Sequence, residues 1–366
     1  MASLKQSCDD DNIGSITNGI KALVESRDVR SVPSEYTFIR NPNEDHEADL
    51  NDPDHSIPII DFSLLTSDSP QQRSKILHDL QKACQEWGFF LLINHGVGES
   101  LMKRMIEMCR DFFNMPAEEK PEIISNNKGA KRSVLEPIMY GTSFNVAIDK
   151  VLLWRDFIKV ISHPHFNSPH NPQGFRETAL EFSTRTREVA SKVVKAISET
   201  LGLEEDCISK AMNWDEGLQL LAANYYPACP EPDRAIGIPP HTDHGLVTLL
   251  IQNEMSGLQV QHKGQWVMLE AITNAFVVNL GDQMQVVTNG KYKSVRHRAV
   301  VNNTKTRISI AVPHGPSVDT VVVPLPELLE KEGQSPVYSG MSYKDYIELQ
   351  QSSKCYMKSS IDMITI

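Results

Sequence analysis

The chain has 366 residues, with 36 Lys and Arg against 47 Asp and Glu and a formal net charge of −11. That acidic balance argues against a general binder of phosphate backbones. A hydrophobic share of 40% and a charged share of 23% are globular averages, which exclude disorder or a fibrous repeat for most of the chain. One large β-rich unit is as compatible with the length as two domains.

Six cysteines, Cys8, Cys84, Cys109, Cys207, Cys229 and Cys355, are scattered without a CxxC pair, which points to reduced thiols in a cytosolic protein. Met1 to Asp11 lacks the apolar stretch of a signal peptide, and no run approaches the roughly 18 apolar residues of a membrane span. A soluble, cytoplasmic protein is expected, with a small-molecule substrate, no nucleic-acid or membrane partner, and a monomeric state.

Residues 1–55 form an N-terminal extension: a short helical pattern, Ile16 to Ser26, is followed by an acidic stretch, Asn41 to His55, that reads as a solvated linker. An N-terminal region, 56–165, begins with a short strand near Ile57–Phe62. A helix then runs from Ser69-Pro70 to about Trp87, a buried strand covers Phe89–Ile93, and a second helix spans about Glu99–Asn114. Lys120 to Asp149 is poorly periodic and is left mostly as loop. The third region, 166–366, opens with a long helix over Gly174–Leu201, whose Val189, Val193, Ile197 and Leu201 make one apolar stripe. Eight short β-rich runs follow: 220–226, 246–252, 258–261, 265–269, 275–279, 294–300, 307–312 and 320–323. Their spacing suggests an antiparallel barrel or jelly roll at about 215–320, with a helical tail after it.

Within these runs, His241-Thr242-Asp243 places two candidate ligands on one side of an extended chain. His297 adds a second imidazole on a predicted strand. Two histidines and one carboxylate on one face of Fe(II) leave three positions open, as oxygen activation with a chelating co-substrate requires, although zinc hydrolases use the same atoms. Arg307-Ile308-Ser309 offers a guanidinium and a hydroxyl on one strand face, a pairing suited to a carboxylate. Asn224 and Tyr226 close an earlier strand, where the phenol can reach the same carboxylate. His244 faces away from Asp243 by strand alternation, and His163-Pro164-His165 lies in a proline-bounded loop; neither is assigned to metal.

Together with Ile57-Pro58-Ile59-Ile60-Asp61, Trp87-Gly88-Phe89-Phe90, Asn94-His95-Gly96, Asn224-Tyr225-Tyr226-Pro227 and Asn289-Gly290, these residues resemble the plant 2-oxoglutarate- and Fe(II)-dependent dioxygenases, a family that includes flavonoid, gibberellin and alkaloid oxygenases. The resemblance spans residues 57–309 in order. It implies a fold of mainly β with α: a double-stranded β-helix (jelly-roll) core, an N-terminal helix and strand layer, and flanking helices. It also implies His241, Asp243 and His297 as iron ligands, and Arg307 with Ser309 on the distal carboxylate of 2-oxoglutarate, assisted by Asn224 and Tyr226. O2 would be consumed, ascorbate would serve as reductant, and succinate and CO2 would form as a small, largely apolar plant metabolite or hormone is hydroxylated, demethylated or desaturated. An oxidase of the aminocyclopropane-carboxylate type, which does not consume 2-oxoglutarate, and a non-catalytic jelly-roll binding protein are the alternatives.

Many relatives place an aromatic residue six positions after the arginine; here Pro313 and then His314 follow. Met139 to Phe144 and Trp154 to Phe157 fall where relatives build pocket walls, and serve equally well as core packing.

Overall fold

The computed structural model describes residues 19–26, 29–41, 43, 45–49, 53–116, 119–120, 133–143, 151–351 and 360–366. Twelve strands build the centre: β1 (Ile59–Asp61), β2 (Phe89–Ile93), β3 (Ile138–Gly141), β4 (Asp156–His163), β5 (Gln219–Tyr226), β6 (Ile238–His241), β7 (Val247–Gln252), β8 (Leu258–His262), β9 (Gln265–Leu269), β10 (Phe276–Leu280), β11 (His297–Ala299) and β12 (Arg307–His314). They form a major sheet in the order β1-β2-β10-β7-β12-β5-β4-β3 and a minor sheet in the order β6-β11-β8-β9. This is a jelly roll whose larger sheet continues outward on both sides into strands from the N-terminal region.

The sequence explains the layering. Alternate residues of the central strands point to opposite faces. Leu249, Ile251, Ile308, Ile310, Val312, Ala223, Ile158 and Val160 belong to one apolar core with the helices α1 (Pro70–Glu86), α2 (Glu99–Asn114) and α3 (Phe175–Thr200). The anticipated stripe of α3 is buried there, with Val193 and Ile197 fully enclosed. Helix α1 ends where Gly88 adopts φ +62°, and a Cβ at that position would lie 2.4 Å from the Lys293 carbonyl oxygen. Only glycine fits that turn, which feeds the chain directly into the wholly apolar β2. The opposite faces of the central strands look into the space between the two sheets.

Several expectations change. The strand at 138–141 lies within the stretch left mostly as loop, and its Tyr140 packs edge-on against Phe112. The strands β4 and β6 escaped notice. In β6 the reason is Pro239 and Pro240, which suit the sheet edge that β6 occupies. The run at 320–323 is no part of the barrel: Val321–Val322 pairs only with Met341–Ser342 in a separate ribbon. Of the helix expected over 16–26, Gly19–Ser26 is helical and 16–18 lies outside the described residues.

The described part of the acidic stretch is solvent-exposed at Glu47, Asp49 and Asp54, yet it is tied to the minor sheet. Asp45 pairs with Arg298, Glu47 accepts from the Gln259 amide at 3.0 Å, and Trp266 exchanges backbone hydrogen bonds with His46 and Ala48. The charge pattern that suggests solvation is answered by a buried arginine distant in sequence. Among the described residues, no helix is long and apolar enough to cross a membrane, and Cys84, Cys109, Cys207 and Cys229 are free thiols.

A buried carboxylate ties the N-terminal helix to the major sheet. Asp156 accepts from the backbone N–H groups of Ile20 and Lys21, both at 2.9 Å, and from the Thr142 hydroxyl at 2.8 Å. This caps the first turn of Gly19–Ser26 from outside the helix. Asp156→Ala leaves three donors without their acceptor, and urea unfolding should show a loss of about 3 kcal/mol; an unchanged midpoint would rule out this tie.

His314 is fully buried beside Trp214, with neither ring nitrogen in a well-formed hydrogen bond, and burial pushes its pKa down to about 3. An unfolded histidine titrates near 6.5, so the unfolded chain alone binds this proton between the two values. Stability should therefore fall on acidification from about pH 6.5 toward pH 3, by up to about 1.4 kcal/mol per pH unit from this group. His314→Leu should flatten that slope, read by urea unfolding at pH 7 and pH 5.

Candidate active site

His241 ends β6 and His297 begins β11, and the two are cross-strand partners. Asp243 lies two residues beyond the end of β6. One ligand atom from each of the three side chains lies within 4.8 Å of the others, and among the described residues this is the group able to hold a metal ion. Asp243 Oδ1 is 3.8 Å from His241 Nε2 and 3.6 Å from His297 Nε2.

Outer contacts fix each orientation. The Nδ1 of His241 is 2.9 Å from the Pro239 carbonyl and that of His297 is 3.1 Å from the Val295 carbonyl, so both rings donate through Nδ1 and turn a lone pair on Nε2 to the centre. Asp243 Oδ2 accepts from the Thr248 hydroxyl at 2.6 Å and from the Asn279 amide at 2.7 Å. Oδ1 remains for a cation. Burial, with the neighbouring His297 second, pushes the His241 pKa down to about 4, so the imidazole is neutral and able to ligate at neutral pH. Burial raises the Asp243 carboxyl, but His297, His241 and the two donors outweigh it and hold the group near 2.

A second centre lies on β5 and β12. Arg307 pairs with Tyr226 across the strands and Ser309 pairs with Asn224, which puts all four on one face. The Arg307 guanidinium is fully enclosed, 5.1 Å from the Tyr226 ring centroid. Its Nε and Nη2 donate to Gln252 Oε1 at 3.2 and 2.6 Å, while Nη1 has no partner. Gly257 makes room for this side chain, because a Cβ there would lie 2.7 Å from Arg307 Cδ. A buried guanidinium with an unpaired donor and no carboxylate within ion-pair distance among the described residues is costly unless an anion completes it. The donor set fits a carboxylate, and the triad fits a divalent ion with positions left open.

All seven residues singled out from sequence therefore fall into these two adjoining clusters. Asn224 has a further tie: its Oδ1 accepts from Arg155 Nη1 at 2.7 Å. His244 stays outside the triad, with Nδ1 2.6 Å from the Tyr343 hydroxyl, and His163 Nε2 meets the Asp215 carbonyl. Thr248, Asn279 and Gln252 were missed. The available signal was a single polar residue inside otherwise apolar runs, Val247-Thr248-Leu249 and Val278-Asn279-Leu280, which a buried strand tolerates only with a partner.

The two wall candidates divide. Trp154 packs into the N-terminal cluster with Tyr36 and Asp156 caps the helix, whereas Phe157 and Met139 stand on the inner face of the sheet. Phe144 lies outside the described residues. Pro313 occupies the inner face opposite Thr248, and His314 points to the helix side, so neither supplies a stacking ring.

Comparisons with known proteins agree with this geometry. The 2OG-Fe(II) oxygenase superfamily matches residues 217–316, and the N-terminal region of non-haem dioxygenases in morphine synthesis matches 57–180. The chain is 41% identical over 315 residues to 2-oxoglutarate-dependent dioxygenase 19 of Oryza sativa subsp. japonica, covering 86% of this chain and 91% of that protein. It is 39% identical over 342 residues to Protein DMR6-LIKE OXYGENASE 2 of Arabidopsis thaliana, covering 91% and 94%. The crystal structure of JOX2 in complex with 2OG, Fe and JA superimposes with a TM-score of 0.81 at 30% identity, covering 95% of this chain and 97% of that one.

Because Asn279 and Thr248 hold the Asp243 carboxylate in place, Asn279→Ala should weaken divalent-metal binding about 10- to 100-fold without unfolding the chain, read by anaerobic Fe(II) titration. Asp243→Ala should abolish it; undiminished affinity in either variant would remove the carboxylate from the site.

Proposed function

The chain belongs to the 2OG-Fe(II) oxygenase superfamily and is an Fe(II)- and 2-oxoglutarate-dependent dioxygenase, and from that premise we propose the role of each residue and the kind of substrate. His241, Asp243 and His297 hold the iron. Arg307, with Ser309 and Tyr226, holds the distal carboxylate of 2-oxoglutarate, and Asn224 braces the same wall. The substrate is a small, largely apolar metabolite lying against Phe157, Met139 and Pro313.

The unpaired Nη1 of the enclosed Arg307 carries this reading. The chemistry supplied when metal and co-substrate are bound is oxidation of an unactivated C–H bond, coupled to conversion of 2-oxoglutarate and O2 into succinate and CO2. The chain's own part is positional. Two backbone carbonyls hold both imidazoles in the ligating tautomer, Thr248 and Asn279 reserve one oxygen of Asp243, and Gln252 aims the guanidinium. Arg307, Ser309 and Asn224 are buried, which strengthens their interaction with a bound anion.

Purified protein supplied with Fe(II) and 2-oxoglutarate labelled at C1 should release labelled CO2, and a true substrate should raise that rate. Arg307→Met should raise the KM for 2-oxoglutarate about 100-fold, the effect of losing a charge-assisted hydrogen bond to an ion. No labelled CO2 with any candidate substrate would contradict consumption of 2-oxoglutarate, and an unchanged KM would contradict the anchor.

A further inference from the structure

The inner face of the major sheet carries three neighbouring rows of side chains. One row, Gln252, Ser309, Asn224 and Phe157, includes the co-substrate wall, and another, Asn279, Thr248 and Pro313, supports Asp243. Between them runs Leu250, Ala311, Ala222, Lys159 and Met139. In this middle row two alanines stand side by side, which keeps the face low, and a lysine stands next to them.

Lys159 is an unusual residue for this place. It alternates with Ile158 and Val160, which pack on the helix side, so its stem lies on the inner face. It is 4% exposed. Its amine donates to the carbonyl oxygens of Val134, at 2.7 Å, and Glu136, which uses two of its three N–H bonds. No carboxylate lies within ion-pair distance of it among the described residues. Burial lowers the pKa of the amine to about 8, which leaves it mostly cationic at neutral pH. An enclosed ammonium with a spare donor is completed by an anion.

Resting on the dioxygenase reading above, we propose that the oxidised substrate is a small monocarboxylic acid, its apolar body lying over Ala222 and Ala311 and its carboxylate held by Lys159. Neighbouring strands lie about 4.8 Å apart, so β4 is about 10 Å from β12, the span of one ring bearing a short acid arm. Phe157, on the adjacent row, contacts the ring. Arg155, whose guanidinium lies 5.0 Å from the Phe157 ring centroid, adds positive charge at the same wall. Lys159 is thus the residue that selects acids over their neutral derivatives.

The test is calorimetric titration of the anaerobic Fe(II)- and 2-oxoglutarate-loaded protein with benzoate, indole-3-acetate and jasmonate, each beside its methyl ester. At least one acid should bind 10-fold or more tightly than its ester. Lys159→Met should remove that preference by weakening the acid and not the ester, and Lys159→Arg should restore the acid to within about threefold. Lys159→Gln keeps a donor for the Val134 and Glu136 carbonyls without the charge, and should also lose the preference, which covers the case in which the methionine variant folds poorly. Ester binding equal to acid binding, an acid preference that survives in Lys159→Gln, or no acid binding at all would overturn the proposal. The 2-oxoglutarate affinity should stay unchanged in these variants; its absence in the unmodified protein would instead contradict the dioxygenase assignment.

Discussion

The division of labour between the two oxygens of Asp243 is the constraint on which the site depends. One oxygen is held by Thr248 from β7 and Asn279 from β10, and the other is turned toward two histidines on the opposite sheet. The arrangement exists only if both sheets close on each other in one register. A slip of one residue in β7 would send Thr248 to the helix side and bring Leu249 under the carboxylate. The broad apolar core between the major sheet and its helices therefore does more than stabilise the fold. It fixes the register that makes a metal-binding geometry possible before any metal arrives.

The cost of this geometry is concentrated in buried polar groups. Arg307, Lys159 and Asp156 are all enclosed, and each meets it differently. Asp156 is satisfied by three donors and holds the N-terminal helix in place. Arg307 is satisfied on two nitrogens and open on the third, and Lys159 on two of its three hydrogens. An enclosed cation left with an open donor on the inner face is suited to binding a small anion.

The residues that gather at the candidate site were legible in the sequence because their spacing is local: a His-x-Asp and an Arg-x-Ser keep their spacing on any extended strand. The helices at Pro70–Glu86 and Glu99–Asn114 were legible for the same reason, through period and punctuation. Thr248, Asn279 and Gln252 were not, since each acts through a partner on another strand that only tertiary register identifies. The tie of the acidic stretch was not legible on similar grounds. Asp45 finds its partner only when Arg298, stacked 4.2 Å over Trp266, is brought against it. Much of the chain's acidic excess lies near the N-terminus, and part of it thus serves to clamp the strand that carries His297.

The most direct measurement is a crystal structure of the protein with Mn(II), as an oxygen-inert stand-in for iron, and 2-oxoglutarate. The metal is expected on His241 Nε2, Asp243 Oδ1 and His297 Nε2, with Arg307 Nη1 donating to the distal carboxylate. A metal bound through Asp243 Oδ2 or His244, or a co-substrate carboxylate away from Arg307, would contradict that arrangement.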